Sequence, residues 1–275
     1  MSRGSLVLVP SGGLANRMRA MASAWQLCRR IDAGLQVVWF QGWGMRAAFG
    51  DLFEPLDFVR EAGCRDFVLH DRPRRHNLWL PWLPQRARYG RGVIHERQVA
   101  ALRDGGFDFG AWLCGQRRYM SCYDELEPVA GGCYAHLFKP CPEVMTLVGA
   151  YGRRLSGYVV GMHIRRTDNI ESIRRSPIEL FLRAGQRELS QHPDLTIFLA
   201  TDSEEVKQQL HRVFGRRVVT SDHEASRDSV AGLREGVADL WTLSRTTRIY
   251  GSAGSSFSVM ASSVGGCELC VLEQS

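Results

Sequence analysis

The sequence predicts an α/β protein that contains two parallel sheets covered by helices. Two stretches of the chain alternate short apolar runs with helical patterns, which is typical of parallel strands joined by crossover helices. Charged and small residues follow several of these runs, at the sheet edge where such folds bind ligands. The chain has 275 residues, 44% of them hydrophobic, enough for two cores of ordinary size. We therefore predict two domains, residues 1–150 and 151–275.

The first series of elements is regular only at its start, and residues 53–129 show little periodicity. Within them, residues 72–91 are rich in proline, tryptophan and arginine. That composition predicts an exposed loop, with an irregular helix-packing surface as the alternative. The regular elements are a strand at 6–9, a turn at 11–13, a helix at 14–30 and a strand at 35–40.

The second series predicts a compact doubly wound domain. A helix at 151–155 precedes its first strand, so the boundary is expected between residues 145 and 157. The predicted strands are 158–163, 196–200, 217–220, 248–250 and 267–272, and the predicted helices are 178–190, 204–214, 230–244 and 259–264.

Composition narrows the possible partners. The net charge is +6, but Lys139 and Lys207 are the only lysines and the arginines are scattered, which favours a small anionic ligand over nucleic acid. The apolar run at 6–9 is too short for a signal peptide or a membrane span, so we expect a cytoplasmic protein. Eight cysteines in a chain of this type are expected to be free thiols. Cys267 and Cys270 are spaced as a metal pair, yet their apolar surroundings favour a buried strand.

The most informative segment is 159–169, in which an apolar run ends in His163, Arg165, Arg166 and Asp168. In open α/β sheets ligands bind beyond the carboxyl ends of the strands, and paired guanidinium groups can hold a diphosphate bidentately. A surface ion pair between arginine and aspartate is the alternative.

Three further clusters follow predicted strands. Asp202 could accept hydrogen bonds from a nucleoside or cap the next helix. Ser255 and Ser256 lie in a Gly/Ser segment before a helix, which is either a phosphate cradle or a plain capped turn. Gly13 and Asn16 lie at a similar junction near the N-terminus, but the motif is neither a dinucleotide fingerprint nor a Walker loop. Asn16 and Arg17 could face the arginine cluster across a cleft.

Taken in order, these motifs resemble the GDP-fucose-dependent fucosyltransferases, most closely the α-1,6 and nodulation group. The N-terminal motif also resembles the α-1,2 and protein O-fucosyltransferases. The matching segments are 12–17, 163–168, 199–202, Asp239 and 251–258.

The resemblance implies a GT-B-like fold of two Rossmann-like domains facing across a cleft, with the acceptor on the N-terminal side and the GDP-sugar on the C-terminal side. It implies no metal and no other cofactor. It also implies roles for individual residues: Arg165 on the diphosphate, Arg166 and Asp168 organising the site, His163 near the guanine, Asp202 and Asp239 on the nucleoside, Ser255 and Ser256 on the phosphates, Gly13 on the donor, and Asn16 near the leaving group.

The expected activity is inverting transfer of L-fucose from GDP-fucose to a hydroxyl of a glycan, with a bacterial surface polysaccharide or oligosaccharide as the expected acceptor. Such a transfer requires a proton acceptor, for which Glu171 is the candidate. Asn169 stands where relatives commonly carry a lysine. The alternatives are a transferase that uses another GDP-sugar and a non-catalytic nucleotide-sugar or glycan-binding protein on the same fold.

Overall fold

The computed structural model describes residues 3–42, 44–69, 82–166, 170–221 and 228–274. The chain divides into two compact units, Met1–Lys139 (unit 1) and Pro140–Ser275 (unit 2). Each unit contains one five-stranded sheet whose strands all run parallel. The α/β class predicted from the alternation of elements is therefore confirmed.

Unit 1 has the strand order β3-β2-β1-β5-β4. Its central strand β1 is almost entirely buried, as expected for a strand covered on both faces. Helix α1 packs on β1 and β2. The elements are β1 (Ser5–Pro10), α1 (Leu14–Arg30), β2 (Gly34–Trp39), β3 (Val59–Glu61), α2 (Trp82–Tyr89), β4 (Val93–Ile94), α3 (Glu96–Asp104), α4 (Phe109–Leu113), β5 (Arg117–Cys122) and α5 (Cys133–Leu137), with short 3₁₀ turns at Phe49–Asp51 and Cys64–Val68.

The region expected to be irregular contains an interior strand of the sheet, β5. β5 pairs with β1 over six residues, yet its sequence begins with two arginines and has no β-branched residue. Residues 82–89, predicted as part of an exposed loop, form helix α2 and bury Gln85 and Tyr89. The alternative prediction, an irregular helix-packing surface, therefore fits residues 82–89. Residues 72–81 lie outside the described residues.

Unit 2 has the strand order β10-β9-β6-β7-β8. The side chains of Val160, Met162 and Ile164 on β6 enter one core cluster with Phe181 and Phe214. The elements are α6 (Pro142–Gly152), β6 (Val159–Ile164), α7 (Ile170–Arg175), α8 (Ile178–Gln191), β7 (Thr196–Thr201), α9 (Glu204–Phe214), a 3₁₀ turn (Gly215–Arg217), β8 (Val218–Thr220), α10 (Val230–Leu243), β9 (Arg248–Ser252), α11 (Ser256–Gly265) and β10 (Glu268–Leu272).

The division between the units falls before helix α6. The sequence suggested a boundary at 150/151 and a helix at 151–155, whereas α6 ends at Gly152 and packs on α10 of unit 2. Proline at its first position fixes the start of this helix at Pro142. The structure therefore assigns α6 to unit 2.

The cysteines agree with the expectation of free thiols. None of the eight forms a disulfide, and Cys267 and Cys270 are half-buried at edge strand β10. Among the described residues, no group of three or more metal-ligating side chains could hold a metal ion. The same residues include no helix long and apolar enough to cross a membrane.

Candidate active site

The strand order of unit 2 indicates at which crevice a ligand is expected to bind. The chain proceeds outward from β6 to β7 and β8, then returns to place β9 on the other side of β6. The strand order therefore reverses between β6 and β9, and ligands of open α/β sheets bind at such a switch point beyond the carboxyl ends of the strands. His163 and Arg165 lie at the end of β6, and the Gly/Ser segment follows β9.

His163 is buried at this point. Its ring stacks on Phe257 with the centroids 4.8 Å apart, and its Nδ1 lies 3.2 Å from Ser255 Oγ. Burial, reinforced by the charge of Arg165 and opposed by that of Asp202, lowers the pKa of His163 from 6.5 to about 4. The imidazole is therefore neutral near pH 7 and serves as a hydrogen-bonding and stacking group.

Ser252, the last residue of β9, ties the two strands together. Its hydroxyl accepts from the Arg165 N–H at 3.2 Å and donates to the His163 carbonyl at 3.3 Å. The backbone of Arg165 is thereby fixed at the mouth of the crevice, and its side chain is half-buried. A role was predicted for Arg165, whereas Ser252 was predicted only as a member of the Gly/Ser segment 251–258, without a contact of its own.

Arg166 is held differently from Arg165. Its N–H donates to Asp202 Oδ1 at 2.7 Å, and its guanidinium donates to the carbonyls of Arg165 at 2.8 Å and Ser176 at 2.9 Å. Burial is the main cause that lowers the pKa of Arg166. These bonds link β6 to β7 and to the start of α8, so Arg166 and Asp202 shape the backbone around Arg165.

Two roles were predicted for Asp202, which could accept hydrogen bonds from a nucleoside or cap the next helix. Ser203 is the N-cap of α9, and its hydroxyl accepts from the Val206 N–H at 3.4 Å. Asp202 instead accepts the Arg166 amide hydrogen and remains half-exposed. Capping therefore does not account for Asp202.

The Gly/Ser segment leads into the N-terminus of α11. Ser255 is its N-cap and accepts from the Phe257 N–H at 3.3 Å, while Ser256 is the first helical residue and is half-buried. Gly254 adopts the left-handed region at φ 66°, which favours glycine. The segment is thus a capped helix start beside Arg165, and a ten-residue helix directs its positive end at this point.

Asp239 lies on the same side of the sheet as His163. A side chain at Gly161 would come within 2.7 Å of Leu243, so α10 packs directly over β6. Asp239 precedes Leu243 by one turn, about 6 Å, and His163 follows Gly161 by about 6.6 Å in the same direction, because the crossover helix runs antiparallel to the strand. Asp239 is therefore level with His163. It is 3% exposed, and its Oδ1 has no hydrogen-bond partner in the described part of the chain.

Two predicted residues follow the arginine motif. Asp168 lies outside the described residues. Glu171 is exposed on α7 and pairs with Arg174 at 2.8 Å. That hydrogen bond is the main cause that lowers the pKa of Glu171, which makes it a weaker proton acceptor while the pair is intact.

In unit 1 the predicted motif follows β1. Gly12 adopts a left-handed φ of 76°, whereas Gly13 is the N-cap of α1 at φ −75°, and a side chain there would meet no atom within 4 Å. Asn16 accepts from Arg19 Nη2 at 2.8 Å.

Arg17 is buried rather than facing out of the unit. Its guanidinium donates to the carbonyls of Gly12 and Phe40 and lies 4.6 Å from the ring centre of Trp39. Burial lowers its pKa to about 10. Its donors hold the turn and the end of β2 together, and an orientation of Arg17 towards Arg165 and Arg166 stays a prediction.

A search of solved structures gives matches along nearly the whole chain. Fucosyltransferase NodZ from Bradyrhizobium matches with 19% identity and a TM-score of 0.62 over 95% of this chain and 92% of that one. FUT1 of Arabidopsis thaliana, solved with GDP, matches with 15% identity and a TM-score of 0.62 over 98% of this chain and 70% of that one. POFUT1 in complex with GDP-fucose matches with 12% identity and a TM-score of 0.57 over 98% of both chains.

These matches establish the fold. The predicted resemblance is confirmed, because the structural neighbours are fucosyltransferases that bind GDP-fucose or GDP. The GT-B class with two Rossmann-like domains is confirmed with it. A scan against protein-family models and a search of curated proteins matched nothing.

Proposed function

We propose that the chain is an inverting glycosyltransferase that moves L-fucose from GDP-fucose to a hydroxyl of a glycan. Unit 2 binds the donor, and unit 1 provides the acceptor side. The observation that carries the proposal is the convergence of His163, Arg165 and the N-terminus of α11 at the β6–β9 switch point, in a fold shared with a NodZ α-1,6-fucosyltransferase soaked with GDP-fucose. A bacterial surface polysaccharide or oligosaccharide is the proposed acceptor, and a cytoplasmic location stays a prediction.

The proposed chemistry needs negative charge to be stabilised on the leaving diphosphate. Breaking the bond between the anomeric carbon and GDP leaves that charge on the diphosphate oxygens, which preorganised donors stabilise strongly in a desolvated site. Arg165 and the helix start at Ser255 and Ser256 supply such donors, so no metal is proposed. Arg166 and Asp202 act indirectly, since they fix the backbone on which Arg165 stands.

The nucleoside is proposed to bind along β6 and α10. His163 offers a neutral ring, and Asp239 offers a buried acceptor at the same level. Glu171 remains the proposed proton acceptor for the glycan hydroxyl, and release of Arg174 would strengthen it as a base. Single displacement from a β-linked donor would yield an α-linked product. Gly13, Asn16 and Asp168 keep the roles implied by the resemblance.

Calorimetry without added metal tests the donor site. GDP-fucose, GDP-mannose, UDP-glucose and GDP would be titrated into the wild type, Arg165→Ala and the control Arg183→Ala, which removes an exposed arginine of α8. We expect micromolar binding of GDP-fucose that Arg165→Ala weakens by about 10- to 100-fold, because a charge-assisted bond contributes about 1.5–3 kcal/mol.

The same titrations separate the alternatives. Equal affinity for all four ligands would refute a GDP-fucose site. Stronger binding of GDP-mannose would favour a transferase for another GDP-sugar. Binding of GDP-fucose without transfer to any glycan and without slow release of free fucose would favour a non-catalytic binding protein.

A further inference from the structure

Helix α10 carries a second buried acid beside Asp239. Glu235 precedes it by one turn and is 5% exposed. The hydroxyl of Tyr151, on α6, donates to Glu235 Oε2. Asp239 Oδ1, in contrast, has no hydrogen-bond partner among the described residues. The two carboxyl groups are therefore close together, and within the described part of the chain Asp239 Oδ1 has no donor to match the Tyr151 hydroxyl that stabilises the charged form of Glu235.

Charged groups on the other elements do not cancel this difference between Glu235 and Asp239. Lys207 of α9 is a buried cation that acts on Asp239, but its Nζ donates to the Ser221 carbonyl at 2.8 Å and lies 3.6 Å from Glu204 Oε2. Arg234 of α10 approaches Glu143 of α6 at 3.7 Å.

Two further neighbours of Asp239 in the described part of the chain, His163 and helix α11, add no positive charge. His163 of β6 is neutral near pH 7, because its pKa is about 4. Helix α11 contributes no titratable side chain, as its sequence shows.

Two carboxylates one helical turn apart in a buried site do not both ionise readily, because each is poorly solvated and repels the other. Since Tyr151 stabilises the charge of Glu235, the proton stays on Asp239. Burial and then Glu235 raise the pKa of Asp239 well above its ordinary range, with Lys207 acting in the opposite direction.

We propose that Asp239 holds a proton in the ligand-free protein and releases it to solvent when the guanine base binds, and that Glu235 is the positioning residue that keeps the proton there. This inference rests on the proposed function. The Watson–Crick edge of guanine presents an N–H and an amino group side by side, both hydrogen-bond donors. A carboxylate offers two acceptors to that edge, whereas a protonated carboxyl offers one acceptor and one donor. Deprotonation therefore accompanies recognition of guanine.

The number of protons released measures this coupling. GDP-fucose would be titrated calorimetrically in buffers of different ionisation enthalpy, from about pH 6 to about pH 8, a range in which neither its diphosphate diester nor its guanine N–H titrates. We expect release approaching one proton per nucleotide at the lower pH values, with affinity rising about tenfold per pH unit until Asp239 is ionised in the free protein.

Two variants identify the source of the proton. Asp239→Asn should abolish the release and weaken binding. Glu235→Gln removes the neighbouring charge, so Asp239 should ionise at lower pH and the release should shrink while affinity at low pH rises. The matched control is Glu188→Gln, which changes another buried glutamate that accepts from a tyrosine, here Tyr250 at 2.5 Å on the opposite face of the sheet.

Tight binding of GDP-fucose with no proton release at any pH would overturn the proposal, as would equal effects of Glu235→Gln and Glu188→Gln. Failure of GDP-fucose to bind at all would refute the proposed function and the ligand-linked release together. The infrared band of a protonated carboxyl, compared between ligand-free wild type and Asp239→Asn, would then decide separately whether Asp239 holds a proton; its absence would refute that too.

Discussion

His163 is neutral in the folded protein at a pH where the unfolded chain protonates its histidines. The folded pKa is about 4 against an ordinary 6.5, so the unfolded chain binds more protons between these values. Stability therefore falls as pH drops from 6.5 to about 4, by roughly 3 kcal/mol in total.

Urea unfolding at about pH 7 and about pH 5 would show this loss. The slope of the free energy of unfolding against pH should be smaller in His163→Gln than in the wild type. His211→Gln, which removes an exposed histidine, should keep the wild-type slope. Identical slopes in both variants would mean that His163 is not the group that titrates.

Alanine substitutions at the neighbouring residues Gly13 and Gly12 are expected to affect stability differently. Gly13→Ala should change stability by less than about 1 kcal/mol in either direction, because its backbone is ordinary and the space beside it is open, while alanine is a poorer N-cap than glycine. Gly12→Ala should cost about 1–2 kcal/mol, since its φ of 76° is left-handed.

Fucosyl transfer by Gly13→Ala tests whether a substrate approaches this backbone. A folded variant with lost transfer would support the predicted binding role. Full activity would show that the open space beside Gly13 is not used.

At the residue scale, the sequence identified side chains with distinctive chemistry but not those that hold them. His163, Arg165 and Ser255 were predicted at strand ends, and they do lie together. The bonds of Ser252 and the role of Ser176 were not predicted, because a buried serine has no sequence signature that separates it from a surface serine. The carbonyl partners of Arg17 were not predicted either, since only the structure shows which carbonyls a guanidinium can reach.

At the scale of elements, Ser176 joins three segments around the candidate site. Its hydroxyl donates to the Leu272 carbonyl of β10 and accepts from the Ala253 N–H before α11, and its carbonyl accepts from Arg166. Ser176→Ala should destabilise the protein by about 1–3 kcal/mol, since it removes the partner of the buried Ala253 N–H and that of the Leu272 carbonyl.

The same substitution should weaken GDP-fucose binding, because the segment before α11 loses its attachment. Ser190→Ala provides the control, as this exposed hydroxyl bonds only within its own helix turn. Equal stability and affinity in the two variants would show that Ser176 does not support the site.

Element prediction succeeded where periodicity and burial coincide. The strands of unit 2 and its helices α8 to α11 were foreseen closely, because these strands are apolar runs that alternate with helical patterns, whereas α6 was misplaced and α7 was not predicted. β5 was missed since it acquires its strand conformation from pairing with β1 and β4 rather than from its own residues.

For the whole molecule, two domains follow from chain length and alternation, but the place of division depends on packing. Helix α6 precedes the first strand of unit 2 and could belong to either unit by sequence. Its Tyr151 packs against Phe198 with ring centroids 5.6 Å apart and bonds to Glu235, and both partners belong to unit 2. Tertiary contacts, which local patterns do not reveal, therefore set the boundary.

Two fragments test that boundary. All the residues of unit 2 that are predicted to bind GDP-fucose lie after residue 139. Residues 140–275 should therefore fold alone and bind GDP as tightly as the full chain does. Residues 151–275 lack most of α6 and should melt at least about 5 °C lower, since losing 1 kcal/mol or more shifts a domain of this size by several degrees. Circular dichroism and calorimetry would compare them. Equal melting temperatures would place the boundary at 150/151, and a folded 140–275 fragment that fails to bind GDP would show that the donor site needs unit 1.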